Sequence, residues 1–203
     1  MATLNTTNLK HGSSSSNNIV LASDGSVTIP GNATCSGTAT GFGIGGKILQ
    51  VVSTNKTDTF SASIGKQEFS GAAISVTITP ANSSNQIFLL ANLTIGLASD
   101  NDIGFAFFKA GSVIDGATAD AFGSAARLHA QGFTTANSHQ HTITGIYLDT
   151  AGGTSAITYD CRLRHGNNST SGHNIYLNRD NANGTGDMEQ NSMSTLTAIE
   201  VAA

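Results

Sequence analysis

Ile74 to Pro80 reads ISVTITP, Pro80 to Asn85 reads PANSSN, and Ile87 to Ile95 reads IFLLANLTI; this run decides the fold. Ile74, Val76 and Ile78 alternate strictly with polar residues, the pattern of a half-buried strand. PANSSN is turn chemistry. The segment after it is apolar on both faces for its first half, which predicts a central strand covered on both sides.

Working outward, the same period recurs. Phe60, Ala62 and Ile64 alternate with small polar residues. Ile103 to Phe108 (IGFAFF) is a strand, and Lys109 to Ser112 (KAGS) reads as a hairpin turn into Val113-Ile114. Strands resume at Ile143 to Leu148, Ile157 to Leu163, Ile175 to Leu177 and Leu196 to Val201. Between Asp115 and Gln131 the pattern weakens, and AFGSAARLHAQ suits a helical turn or a long loop equally. About nine short strands with Gly/Asn/Ser turns predict an all-β fold, an antiparallel β-sandwich or jelly roll. The last strand ends two residues before Ala203. A strand so placed is expected to pair inside a sheet, with truncation damaging.

The texture changes at Gly46. Before it lies an extended, β-rich N-terminal arm of Gly, Ser, Thr and Asn. Its apolar pieces are Ile19-Val20-Leu21, then Val27 and Ile29, punctuated by Asp24-Gly25 and Pro30-Gly31. These read as brief strands joined by tight turns. Cys35 to Gly46 (CSGTATGFGIGG) is almost all small residues, a linker. The expected organisation is an attachment or shaft arm with linker over 1–46 and a sandwich over 47–203. A 157-residue unit of that size can bury about 70% of its unfolded-chain surface. The arm cannot, so it is expected to order itself against partner chains; three copies about one axis would cover each other's apolar faces.

The net charge of −4 argues against a nucleic-acid partner, because Arg162, Arg164 and Arg179 are too few for a basic face. No segment approaches the ~20 apolar residues of a membrane helix, and MATLNTTNLKHGSSSS has no apolar signal region, so no membrane insertion or signal peptide is expected. The sequons at Asn82, Asn92 and Asn168 then read as chance matches. Cys35 and Cys161 lie in different kinds of segment, which argues against a disulfide; Cys161, alternating with Thr158, Asp160 and Arg162, is expected to face the core.

Candidate chemistry is sparse. Gly41 to Gly46 (GFGIGG) matches G-x-G-x-x-G, but a polar stretch precedes it and a strand follows, so no phosphate meets a helix N-terminus and no cofactor is expected. His139 and His141 would share a strand face, and three chains about an axis would offer six nitrogens to a metal; the plainer reading is a polar loop entering a strand. Asp100, Asn101 and Asp102 lack the ligand count of a calcium site. Asn167 to His173 (NNSTSGH) is a polar loop of the kind that contacts receptors. With no paired carboxylates and no G-x-S-x-G, no catalytic residue is assigned and a non-enzymatic protein is expected.

Several of these pieces resemble the C-terminal domains of tail-fibre-type virion proteins from marine bacteriophages, notably those of cyanobacteria. They are GKILQVVSTNKTDT from Gly46, ISVTITP from Ile74, Ile87 to Ala91, YLDTAGGTSAITY from Tyr147, IYLNR from Ile175 and STLTAIEVA from Ser194. LKHGSSSSNNIVLASDGSVTI and NATCSGTATG look like the shaft units that precede such domains. The resemblance implies a viral structural protein. It would be a homotrimeric tail fibre located in the virion, bound to other virion proteins through its arm and presenting the sandwich for host attachment to a cell-surface glycan or outer-membrane protein. The alternatives are a capsid decoration or fibre-base protein, and a glycan depolymerase.

Overall fold

The computed structural model describes residues 6–30, 47–97, 101–134, 139–166, 172–181 and 192–203. The chain divides into two units, Met1–Gly43 and Ile44–Ala203. In the first, β1 (Asn8–Leu9), β2 (Ile19–Leu21) and β3 (Val27–Thr28) form an antiparallel sheet in that order. β2 and β3 fall on the apolar pieces read from the sequence. At the turn between them Gly25 adopts a φ of 85°, and the Asp24 carboxylate accepts the Ser26 N–H at 2.8 Å. None of this unit's described residues is buried, so it has no core of its own.

The second unit contains β4 (Ile48–Lys56), β5 (Phe60–Ile64), β6 (Ala72–Ile78), β7 (Gln86–Leu97), β8 (Asn101–Lys109), β9 (Ser112–Val113), β10 (Ala130–Thr134), β11 (Gln140–Thr150), β12 (Ile157–His165), β13 (His173–Leu177) and β14 (Ser194–Val201). All pairings are antiparallel. Along one edge of β7, β14 pairs with Gln86 to Asn92 and β13 with Ile95 to Leu97, so the two are one interrupted row. β4 and β5 form the row outside it, and β11 takes the other edge of β7. In the second sheet β12 lies between β6 and β8, while β9 and β10 share the far edge of β8. Numbered as rows in chain order, the sheets run 1-8-3-6 and 2-7-4-5. That is one antiparallel ribbon, pairing first row with last and inward from there, rolled into a jelly-roll sandwich.

The inward residues of β7 (Ile87, Leu89, Ala91, Leu93, Ile95) are fully buried against Ile103, Phe105 and Phe107 of β8 and Tyr159, Cys161 and Leu163 of β12. Each Ile or Leu so buried contributes roughly 1.5–3 kcal/mol. Cys161 is a small apolar core residue, its thiol pKa raised by burial and then by Asp160. β10 lies against β11 at one flank, and β6 against β4 and β14 at the other.

Two sequence expectations change. β7 is central in its sheet, but its outer face is covered only at one end, where Thr94 is buried and the Arg179–Asp180 backbone lies over Gly96; Leu90 is 38% exposed on that face. Alternation reports what a strand could bury, and among the described residues nothing lies over Leu90. The 115–131 stretch resolves into a single 3-10 turn at Asp115–Ala117, an irregular run, and the start of β10. The KAGS hairpin is as expected: Ala110 and Gly111 both take positive φ (48° and 84°), the turn whose twist matches its strands.

Asn178 repairs the interrupted row. Its left-handed backbone (φ 63°) turns the chain out after β13, and its N–H bonds the Thr94 carbonyl at 2.8 Å. Its fully buried side chain donates to the carbonyls of Lys56 and Asp58 (2.8 and 2.9 Å) across the gap between β4 and β5. Its Oδ1 accepts the Ser194 hydroxyl at 2.6 Å, and Ser194 Oγ accepts the Thr94 N–H at 3.0 Å. Glu200, also fully buried, closes the other end of β14: it accepts from Gln50 Nε2 (2.5 Å), Asn85 Nδ2 (2.6 Å) and the Ala81 N–H (2.7 Å).

Asn178→Ala strands several buried polar groups at once and should cost about 2–4 kcal/mol, read from the urea midpoint. Burial opposes ionisation of Glu200, but the hydrogen bonds from Asn85, Gln50 and the Ala81 and Asn82 backbone outweigh it and hold the carboxyl below its ordinary pKa. Its folded pKa being the lower one, its stabilisation is complete above the ordinary carboxylate range and is lost as pH falls through that range to the folded value. The thermal midpoint should therefore drop more steeply on acidification in the wild type than in Glu200→Gln.

Candidate functional site

The outward residues of the β4–β14–β7–β11 sheet make a broad face with exposed apolar side chains. The ladder sets them in rows across four strands. One row is Leu148, Phe88, Ile199 and Val51; the next is Ile146, Leu90, Thr197 and Ser53; the next is Thr144, Asn92, Thr195 and Asn55. The face grades from apolar to hydroxyl and amide, and no outward residue in these rows is charged. Val51 and Ile146 are 57% exposed and Leu148 is 52%, with Ile48 and Leu49 exposed beside the bulge at Glu200/Val201. Large contiguous apolar exposure of this kind marks an interaction surface.

The opposite sheet presents a different outer face. There Arg162 pairs with Asp160 at 2.7 Å and stacks on Phe108, Arg164 stacks on Phe69, and Phe69 meets Phe108 edge to face. The turn from Gly65 to Glu68 and the run from Asp115 to Leu128 border this side. His129 anchors that run: its Nδ1 donates to the Ala117 carbonyl (2.7 Å), and its Nε2 accepts the Ile146 N–H (3.2 Å). Glycine is required beneath it, since a Cβ on Gly145 would lie 2.5 Å from both the His129 and Phe105 rings.

His139 precedes β11, so the two histidines are not a pair within one strand; His141 lies on the side of β11 that carries Ile143 and Gly145 inward and packs over Gly132 of β10 rather than joining the apolar outer face. Among the described residues no group of three or more His, Cys, Asp or Glu is placed to hold a metal ion. Asn101 and Asp102 are the first two residues of β8, whereas Asp100, Gly41 to Gly46, Cys35 and Asn167 to Ser171 lie outside the described residues. Asn82 accepts the Ser84 N–H and hydroxyl, both at 3.0 Å, within its turn, and Asn92 lies on the outward face of β7.

The buried Tyr159 sits in a polar clasp. Burial, and then the hydrogen bond and charge of Asp149, raise its pKa far above the ordinary value. Its hydroxyl donates to Asp149 (2.7 Å), which also takes Lys109 Nζ (2.7 Å); Lys109 further donates to the Thr150 and Ala151 carbonyls. This clasp ties β8, β11 and β12 together and keeps the phenol protonated.

Reading by strand alternation missed the outward apolar row, although β11 carried its signal: Ile146 and Leu148 alternate out of phase with Ile143 and Tyr147. No protein-family model matches the chain, and no curated protein matches its sequence. No described helix is long and apolar enough to cross a membrane.

Because Ile146 and Leu148 contribute little to the core, Ile146→Thr with Leu148→Thr should change the unfolding free energy of dilute protein, measured by urea denaturation, by no more than about 0.5 kcal/mol per site. Binding of a hydrophobic dye to the native protein should fall.

Proposed function

We infer that this chain is a bacteriophage virion structural protein, a homotrimeric fibre. Its N-terminal arm would join other virion proteins, and its jelly roll would present loops to a host-surface glycan or outer-membrane protein. The observation that carries this reading is the bare, uncharged outer face of the β4–β14–β7–β11 sheet. Copies of one chain bring identical charges together, so a face without charges can meet its own kind without repulsion, and its apolar half supplies the driving force. The arm adds support, since its three short strands bury nothing by themselves and would need neighbours to become a shaft. The sequence resemblance to marine phage fibres supports the virion setting. Adhesion through a trimer would multiply weak single-site binding.

Light scattering on the full chain tests it. Three chains per particle are expected, and Ile146→Lys with Leu148→Lys should release single folded chains. A monomeric wild type would overturn the fibre reading in favour of a single-copy decoration module.

A further inference from the structure

Three grooves meet at Arg164, with volumes of about 380, 240 and 180 Å³, and all are lined by Arg164, Ala125 and Ala126. The largest falls in the range of roughly 300–1,000 Å³ typical of small-molecule sites. Lys66 and Arg127 also line it or its neighbour, so three of the nine Lys and Arg residues of an acidic chain converge here.

Arg164 Nε is buried and has no hydrogen-bond partner, and the guanidinium stacks on Phe69, 5.4 Å from the ring centre. A buried N–H without an acceptor is costly, and the guanidinium that carries it lines all three grooves as the cation an anion there would meet. Of the acidic lining residues, Asp115 is engaged by Arg127 at 3.3 Å and Asp102 lies in the smallest groove; the middle groove contains no carboxylate. Gln67 reaches the mouth from a left-handed backbone (φ 66°), adding an amide, and Ser124 and Thr118 add hydroxyls. On the same irregular run Phe122 stands 85% exposed, a flat apolar surface of the sort that stacks against a sugar ring.

We propose that this groove binds an anionic sugar of the uronate class, its carboxylate on Arg164 and its hydroxyls on Gln67, Ser124 and Thr118. Burial also lowers the pKa of Arg164, and a bound carboxylate offsets that penalty on its charge. Attributing the sugar to a host surface rests on the fibre reading; the site itself does not. A monomer that binds uronate would keep the site and lose the fibre, and a trimer that ignores uronate would do the reverse.

The test is a titration of the ¹⁵N-labelled full chain with glucuronate, inorganic phosphate and glucose at constant ionic strength, following the Arg164 Nε–H resonance. Saturable shifts with glucuronate, tighter than with phosphate and absent with glucose, are expected. Affinity should fall about tenfold or more in Arg164→Gln. In Lys66→Gln, an exposed site with no risk to folding, it should fall about two- to fivefold. Failure of glucuronate to saturate, phosphate binding as tight as glucuronate, or full affinity retained in both variants would overturn the proposal.

Discussion

The jelly roll depends on inserting the last strand of the chain between the first and third rows of its sheet. β14 pairs with β4 on one side and β7 on the other, so neither neighbour completes its ladder until the C-terminus arrives. Such long-range pairing meets its entropy cost before contacts reward it, which makes closure a late and cooperative event. Two buried polar clusters fix where β14 lands. Asn178 and Ser194 set its entry beside Thr94, and Glu200 sets its exit beside Asn85 and Ala81. A one-residue slip would move Glu200 to the outer face and bring Ile199 into its polar nest, so register is specified by polar groups as firmly as by the apolar stripe.

The two sheets share a core but part company on their outer faces. On β12, outward Asp160, Arg162 and Arg164 are neutralised or stacked, and Phe69 and Phe108 lie among them. That face carries its own cover. On β7, β11 and β14 the outward positions hold Phe88, Leu90, Ile146, Leu148 and Ile199 with no charge and no cover. In a chain with 11% charged residues, the central rows of that outer face carry none of them, while Arg162 and Arg164 stand on the opposite sheet.

Most of the fold was legible because strand alternation survives in every core row. Ile74 to Ile78, Ile87 to Ile95 and Tyr159 to Leu163 announced inward stripes that are fully or nearly fully buried. What alternation cannot carry is sheet order, since a jelly-roll partner lies up to the whole domain away in sequence. The short β10 was harder still, because it is brief and its side chains sit among Gly and Ala. The candidate sites were less legible. Arg164 reads on paper as one outward cation in a polar-apolar alternation; its significance comes from Phe69, Lys66 and the run near Ala125, which lie 38 to 98 residues away and meet it only after folding.

Two of the interrupted rows show how this scaffold separates permanence from variation. Between β9 and β10 the chain leaves the edge of β8 for the run that lines the Arg164 groove, then returns to the same edge with His129 bonded to β11. Between β13 and β14 it leaves the edge of β7 at Asn178 and returns at Ser194, where those two side chains replace the missing ladder contacts. In each case a polar side chain at the splice holds the register, so the excursion's length and composition are decoupled from the core. Loop residues such as Phe122, Ser124 and Arg127 are then free to change with the ligand, whereas Asn178, Ser194, His129 and Gly145 are not.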